Sequence, residues 1–257
     1  MQKEKNNTQD QINTASAKSG NTIVIVHGAW SSAKDWHHVA GYLTSEGNNL
    51  ITVNLPGHGN DETPISDISL QLYVYEVLKV IGDQTNIILV GHSFRGIVVS
   101  EVAELIAPQI KKLIYISAFV PQNGDSLLSL AHKDAESQVG KNLIIDEKAG
   151  VAGIAKEAIT DVFLADAPKA VAEYVTNTMR PEPLAPLSSP ATLTHANFGI
   201  VNKVYVHSMN DNTIGYALQQ RMVKEAGITR TYSLPSSHTP FIVFPQILSS
   251  IITLESK

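Results

Sequence analysis

Six short runs of aliphatic and β-branched residues recur along the chain, separated by helical patterns, and this alternation restricts the fold more than any other feature. The runs are "TIVIVH" (22–27), "LITVNL" (50–55), "NIILVGH" (86–92), "KLIYISAF" (112–119), "NKVYVHS" (202–208) and "TRTYSL" (229–234). Near-continuous hydrophobicity is what parallel strands covered on both faces require. Helical patterns fill 33–45, 69–81, 94–107, 215–226 and 240–254. Strand and helix in turn give an α/β fold, a doubly wound and mostly parallel sheet. At 257 residues, 43% of them apolar, the chain has the material for one large core.

One interval breaks the rhythm. From 121 to about 200 no core strand is evident; helical stretches are expected around 125–132, 150–163 and 168–178, before the proline-rich "RPEPLAPLSSP". Roughly 80 residues is too long for a structureless connection, so a helical insertion is expected. Placed between consecutive strands it would cover their carboxyl ends, where open α/β sheets bind ligands. The expected organisation is therefore a polar tail at 1–20, a core from 21–120 and 201–257, and a helical cap at 121–200. The tail has Ile12 as its only large aliphatic residue after Met1, too little to offset ordering entropy, and is expected to be mobile. It reads as a frayed terminus or as the spacer left behind an export signal, so compartment stays open.

A formal charge of −5 gives no electrostatic case for nucleic acid as a partner. No apolar run approaches the roughly 18 residues of a membrane span. The absence of cysteine removes disulfides, a thiol nucleophile and thiolate metal sites together. No metal is expected, because His37-His38 and the scattered acids lack a ligand spacing. No dinucleotide is expected either, because no G-x-G-x-x-G follows a strand. Oligomeric state is not readable.

The chemistry-bearing stretch is "ILVGHSFRG". It nearly contains G-x-S-x-G, the turn that presents a catalytic serine, but Arg95 stands where the second glycine belongs and the glycine follows at Gly96. Ser93 nevertheless sits between a strand and a helix, the setting that the motif requires. A helix N-cap serine is the alternative. A serine nucleophile needs a base and an acid. Asp211 falls just past one strand and His238 just past the next, so Ser93, Asp211 and His238 share one sheet edge in the chain order expected of a hydrolase triad. Asp125, after an earlier strand, is the rival acid. His195 and His207 are weaker candidates for the base; His132 and His58 read as surface or loop residues. "HGAW" after the first strand brings the Ala29 amide toward that of Phe94, a candidate oxyanion pair.

Together "VHGAW", "LPGHG", "VGHS", "LIYISAFVPQNGDS", "LQQRMVKEAG" and "SSHTPFIVFP" resemble the α/β-hydrolase superfamily, from about 22 to 252. They look most like the branch of plant methylesterases, hydroxynitrile lyases and bacterial pyrethroid-hydrolase-like esterases. The resemblance implies Ser93 as nucleophile, His238 as base, Asp211 as acid and the Ala29 and Phe94 amides as oxyanion donors, in agreement with the reading above. The plant lyases of this branch carry threonine after the first-strand histidine and lysine after the catalytic histidine. Gly28 and Thr239 stand there instead, which favours ester hydrolysis.

The expected function is therefore a cofactor-free serine esterase acting on a hydrophobic, uncharged carboxylic ester, with a bulky ester or macrocyclic lactone as compatible as a small aryl or methyl ester. Trp30, Phe119, Leu128 and Phe163 are candidates to line its pocket; the alternative is that the insertion's apolar residues form its own core. A lyase or cofactor-free oxygenase on the same fold, or a non-catalytic ligand-binding relative, are the competing readings. For Arg95 the expectation is a side chain reaching outward to an acidic or carbonyl partner, against a tolerated substitution without a role.

Overall fold

The computed structural model describes residues 21–257; the reading of the first 20 residues as a tail lies outside them. The strands β1 (Thr22–Val26), β2 (Asn49–Val53), β3 (Ile87–His92) and β4 (Ile110–Ile116) are linked through α1 (His37–Ser45), α2 (Leu70–Ile81) and α3 (Arg95–Ile106). The inserted segment holds α4 (Leu127–Ala131), α5 (Val139–Asn142), β5 (Leu143–Asp146), β6 (Val151–Ile154), α6 (Ile159–Phe163), α7 (Lys169–Thr178), β7 (Glu182–Pro183) and α8 (Ala185–Ser188). The chain closes with β8 (Lys203–Ser208), α9 (Tyr216–Glu225), β9 (Arg230–Leu234), α10 (Pro240–Val243) and α11 (Pro245–Ser256). No helix among the described residues is long and apolar enough to cross a membrane.

The main sheet runs β2-β1-β3-β4-β8-β9 with every pair parallel. Its continuous hydrophobicity follows from having a core on each face. Val24 and Val26 of β1 pack with Tyr73 and Val77 of α2 and Val98 and Val102 of α3. Ile23 and Ile25 point the other way, onto Trp36, Val39 and Leu43 and onto Leu248 and Ile252 of α11. The chain leaves β1 for the edge strand β2 and returns across it to β3, so the strand order reverses between β1 and β3. Val26 pairs with Gly91 there, which brings the loop at 27–32 beside the turn at 92–95. Such reversals are where ligands bind in sheets of this type.

The turn itself is tight. Ser93 has φ 56°, the left-handed region, which costs a non-glycine residue about 1–3 kcal/mol unless neighbours hold it. They do: the Ser93 carbonyl accepts from Phe119 N (3.1 Å) and Gly96 N (3.1 Å), and the Ser93 amide donates to Ile116 O. Glycine is required on both sides. A Cβ at Gly91 would lie 2.6 Å from Val99, and one at Gly96 only 2.0 Å from the Phe119 carbonyl.

The insertion corrects the expectation of an all-helical segment. Helices form at Leu127–Ala131, Ile159–Phe163 and Lys169–Thr178, but β5, β6 and β7 pair into a three-stranded antiparallel sheet. The helix expected over 150–163 is split. Its first part is β6, where Ala152 and Ile154 are buried and Val151 and Gly153 are half-buried, the period of two that belongs to a strand. Gly150 at φ 70° closes the hairpin with β5.

At the far edge, Glu255 of α11 accepts from Lys112 Nζ (2.7 Å) on β4 and Arg230 Nε (2.7 Å) on β9, and also from the Tyr232 hydroxyl. Burial would raise its pKa, but these donors hold it down to about 2. Its contribution to stability is therefore full above the ordinary glutamate value of about 4.5 and is lost as pH falls toward 2. Urea unfolding at pH 5 and pH 2.5 should show a smaller acid loss for Glu255→Gln than for the wild type. Separately, Gly96→Ala should lower stability by about 1–3 kcal/mol or more, because its methyl meets backbone that cannot swing aside; urea unfolding at neutral pH measures it.

Candidate active site

Three loops at the carboxyl edge of the sheet converge. The Ser93 hydroxyl, at the β3–α3 turn, donates to His238 Nε2 at 2.9 Å, and His238 Nδ1 lies 2.8 Å from Asp211 Oδ2. A carboxylate only accepts, so the ring proton sits on Nδ1 and Nε2 is the free acceptor. All three residues are buried. Asp211 is fixed through its other oxygen by the amides of Thr213 (2.7 Å) and Ile214 (3.0 Å), while Gln219 Nε2 donates to Oδ2 at 3.3 Å. His238 is held by its main chain, because His92 Nε2 donates to its carbonyl (2.9 Å). Burial lowers the His92 pKa well below the ordinary value, so that ring is neutral.

The rival residues lie elsewhere. Asp125 caps its own turn, accepting from Gln122 N, Ser129 Oγ and Lys133 Nζ. His132 and His195 are exposed, and His207 is buried in β8 between Tyr205 and Tyr216. His37 and His38 sit on the exposed face of α1.

On the β1 side, His27 Nδ1 donates to Gly28 O (2.8 Å) and its Nε2 accepts from Leu55 N (3.2 Å). Burial depresses its pKa too, so it is a neutral brace. A Cβ at Gly28 would lie 2.5 Å from His92 Nδ1 and 3.0 Å from Ser93 Cβ, so nothing larger than glycine fits beside the serine. Among the described residues neither the Ala29 nor the Phe94 amide donates to a protein group.

Arg95 does not reach outward. It is fully buried and runs under the insertion, where Nη1 donates to Glu182 Oε1 on β7 at 2.9 Å. Its guanidinium lies over the rings of Tyr73 (4.5 Å) and Phe94 (4.6 Å). The partner is acidic, as expected, but the direction is inward, where the insertion places a carboxylate within hydrogen-bond distance that offsets the loss of solvent around the cation. His58 belongs to the same cluster and is buried rather than at the surface: Nδ1 donates to Pro56 O, and Nε2 is 2.8 Å from Glu182 Oε2. The Trp30 amide donates to that oxygen as well (3.1 Å). Burial would raise the Glu182 pKa, but Arg95 and His58 hold the carboxyl well below the usual range. Glu182 had no local signature; an arginine at a helix N-terminus, where the dipole disfavours a cation, is the signal that a distant acid compensates it.

A pocket with an empty volume of about 380 Å³, its open mouth included, reaches His238; Trp30, Phe163, Leu164, Val175, Met179 and Ile242 form its apolar wall, and Ser31, Asp35 and Thr239 are its polar lining. The rings of Trp30 and Phe163 are 5.5 Å apart, and Phe163 is 5.9 Å from the His238 ring. Two expected lining residues are absent from this wall. Leu128 is 38% exposed on α4, remote from the pocket, because the short helix turns Leu130 inward instead. Phe119 is buried in the main core, and its backbone braces the serine turn.

The model of the alpha/beta hydrolase family matches residues 23–246. The chain is 30% identical over 191 residues to a carbendazim hydrolyzing esterase of Nocardioides sp., covering 72% of this chain and 78% of that protein. It is 27% identical over 245 residues to a putative chloroplastic methylesterase 11 of Arabidopsis thaliana, covering 90% of this chain but only 63% of that protein's length. Its fold superposes on the crystal structure of polyneuridine aldehyde esterase with a TM-score of 0.82 at 17% identity, over 93% of this chain and all of the other. With its parallel sheet, its serine turn at the strand reversal and this match along most of its length, the chain belongs to the α/β-hydrolase family.

Proposed function

We propose that the chain is a cofactor-free serine esterase with Ser93 as nucleophile, His238 as general base and Asp211 as the acid that orients it. The observation that carries this is the unbroken hydrogen-bonded line from Ser93 through His238 to Asp211. Ser93 attacks the ester carbonyl carbon while its proton passes to His238 Nε2, and Asp211 stabilises the imidazolium. The negative charge on the tetrahedral oxygen is met by the amides of Ala29 and Phe94, which have no acceptor among the described residues. His238 then returns its proton to the departing alkoxide. A water deprotonated by the same nitrogen cleaves the acyl-enzyme, releasing the acid and regenerating Ser93.

Residues 121–200 act in this proposal as a cap. The walls contributed by Phe163, Leu164, Val175 and Met179 carry no charge, which supports a hydrophobic, uncharged ester. The small volume supports a compact acyl group over a macrocyclic lactone. Relatives named as a carbendazim hydrolyzing esterase and a methylesterase agree with that class. The crowding at Gly28 counts against cyanohydrin cleavage of the plant-lyase kind, since a threonine there would overlap His92 and Ser93.

An ester panel running from short aryl esters to bulky lactones should give turnover highest at the small apolar end. A fluorophosphonate probe should label Ser93. Ser93→Ala should abolish labelling and lower kcat by at least about 10³-fold, since triad members act as a unit. Full activity in that variant, or a wild type that the probe does not label, would sink the proposal.

A further inference from the structure

The carboxylate of Glu182 meets polar groups from two loops and two helices. Oε2 accepts from Trp30 N (3.1 Å) and faces His58 Nε2 (2.8 Å); Oε1 accepts from Arg95 Nη1 (2.9 Å) and, more weakly, from Tyr73 OH (3.4 Å). Trp30 and Arg95 are each the residue directly after a candidate oxyanion donor, Ala29 in one case and Phe94 in the other. Trp30 is held at φ 56°, a conformation that a tryptophan keeps only when its surroundings impose it. Its surroundings are the insertion: the amide bonds Glu182, and the indole Nε1 donates to Ala152 O at 2.8 Å. Ala152 and Glu182 are themselves paired across β6 and β7, so one rung of the small sheet grips Trp30 at both ends.

We propose that Glu182 is a positioning residue for the oxyanion site. From the cap it ties the Ala29–Trp30 loop to the first turn of α3 and so fixes the spacing between the two amides. The inference depends on the esterase reading above. On this account Arg95 replaced the motif glycine without loss of the turn because its cation is the second half of the tie. Oxyanion donors act through their geometry toward the transition state, so a slack loop should affect the chemical step more than substrate binding. A buried staple with no positioning role would affect stability alone.

The test measures kcat and KM on a neutral aryl ester, the rate of Ser93 phosphonylation by a fluorophosphonate, and the melting temperature. The variants are Glu182→Gln, the double variant Glu182→Gln/Arg95→Met and, as a control for stability alone, Glu255→Gln. The double variant removes the tie while leaving no unpaired buried charge, which keeps the chain foldable. Glu182→Gln and the double variant should lower kcat by about 100-fold and slow phosphonylation similarly, with KM within about three-fold of wild type. Glu255→Gln, at the far edge of the sheet, should lower the melting temperature and leave kcat unchanged. An active wild type whose Glu182 variants melt lower yet keep kcat within about two-fold would overturn the tie alone. A wild type inert to both ester and probe would overturn the esterase reading and this inference with it.

Discussion

The parallel register of β1 on β3, with Val26 opposite Gly91, is the constraint on which the site depends. It sets two strand ends side by side at the one place where the strand order reverses, and both then enter residues with positive φ: Trp30 after β1 and Ser93 after β3. For β3 the strain is sustained by close approach, since Gly91 lets Val99 of α3 in and Gly96 lets in the Phe119 carbonyl. For β1 it is sustained from above, by Glu182 and Ala152. Strain on the two sides of the site is thus offset by different parts of the molecule: the core sheet on one side and the insertion on the other.

Burying an arginine beside the serine turn is costly unless its charge is met. The cluster meets it closely: one carboxylate, one guanidinium and one imidazole, with aromatic faces of Tyr73 and Phe94 filling the space around the cation. Only Arg95 Nε is left without an acceptor. Removing either charged partner alone strands the other, at a typical cost of about 3–5 kcal/mol. The identity of residue 95 is therefore coupled to residue 182, across 87 positions of sequence.

That separation explains what was legible in the sequence. The sheet strands were readable because each is a local hydrophobic run, and the ends fall within a few residues of those expected, as at 22–27 against Thr22–Val26. The Ser93, Asp211 and His238 loops were readable because strand ends impose a common edge. The hairpin of β5 and β6 was not: each strand is four residues long, and Ile144 and Ile145 are exposed, so no periodicity distinguishes the segment from a helix. His58 and Glu182 were missed because their burial is created by a long-range packing event. Of the pocket walls, Trp30 and Phe163 were picked out by their size, whereas Leu128 has the same chemistry but the outward side of its helix.

The insertion is bound into the site from a second direction as well. The last carbonyls of α6 have no helical partners; Asp161 O accepts from Asn212 Nδ2, Val162 O from Thr213 Oγ1, and Phe163 O from Thr239 Oγ1. Asp166 adds a bond from the Ser237 amide at 2.7 Å. The loops that carry Asp211 and His238 therefore both close onto α6, as the loop after β1 closes onto β6 and β7. A segment anchored at both sides of the site does not lift away as a rigid lid. In α7 only Ala172 is fully buried, with Val175 and Met179 packed partly against the small core beside it. Between α7 and the 30–35 loop runs a groove of about 660 Å³, open solvent included, which shares Trp30, Val175 and Met179 with the inner pocket. Tyr174 and Arg180 line this groove but not the inner pocket, which is bounded instead by Phe163, Leu164 and Ile242. Anchoring from both sides keeps Ser93, Asp211 and His238 buried, and the low dielectric of that setting strengthens the hydrogen bonds along their line.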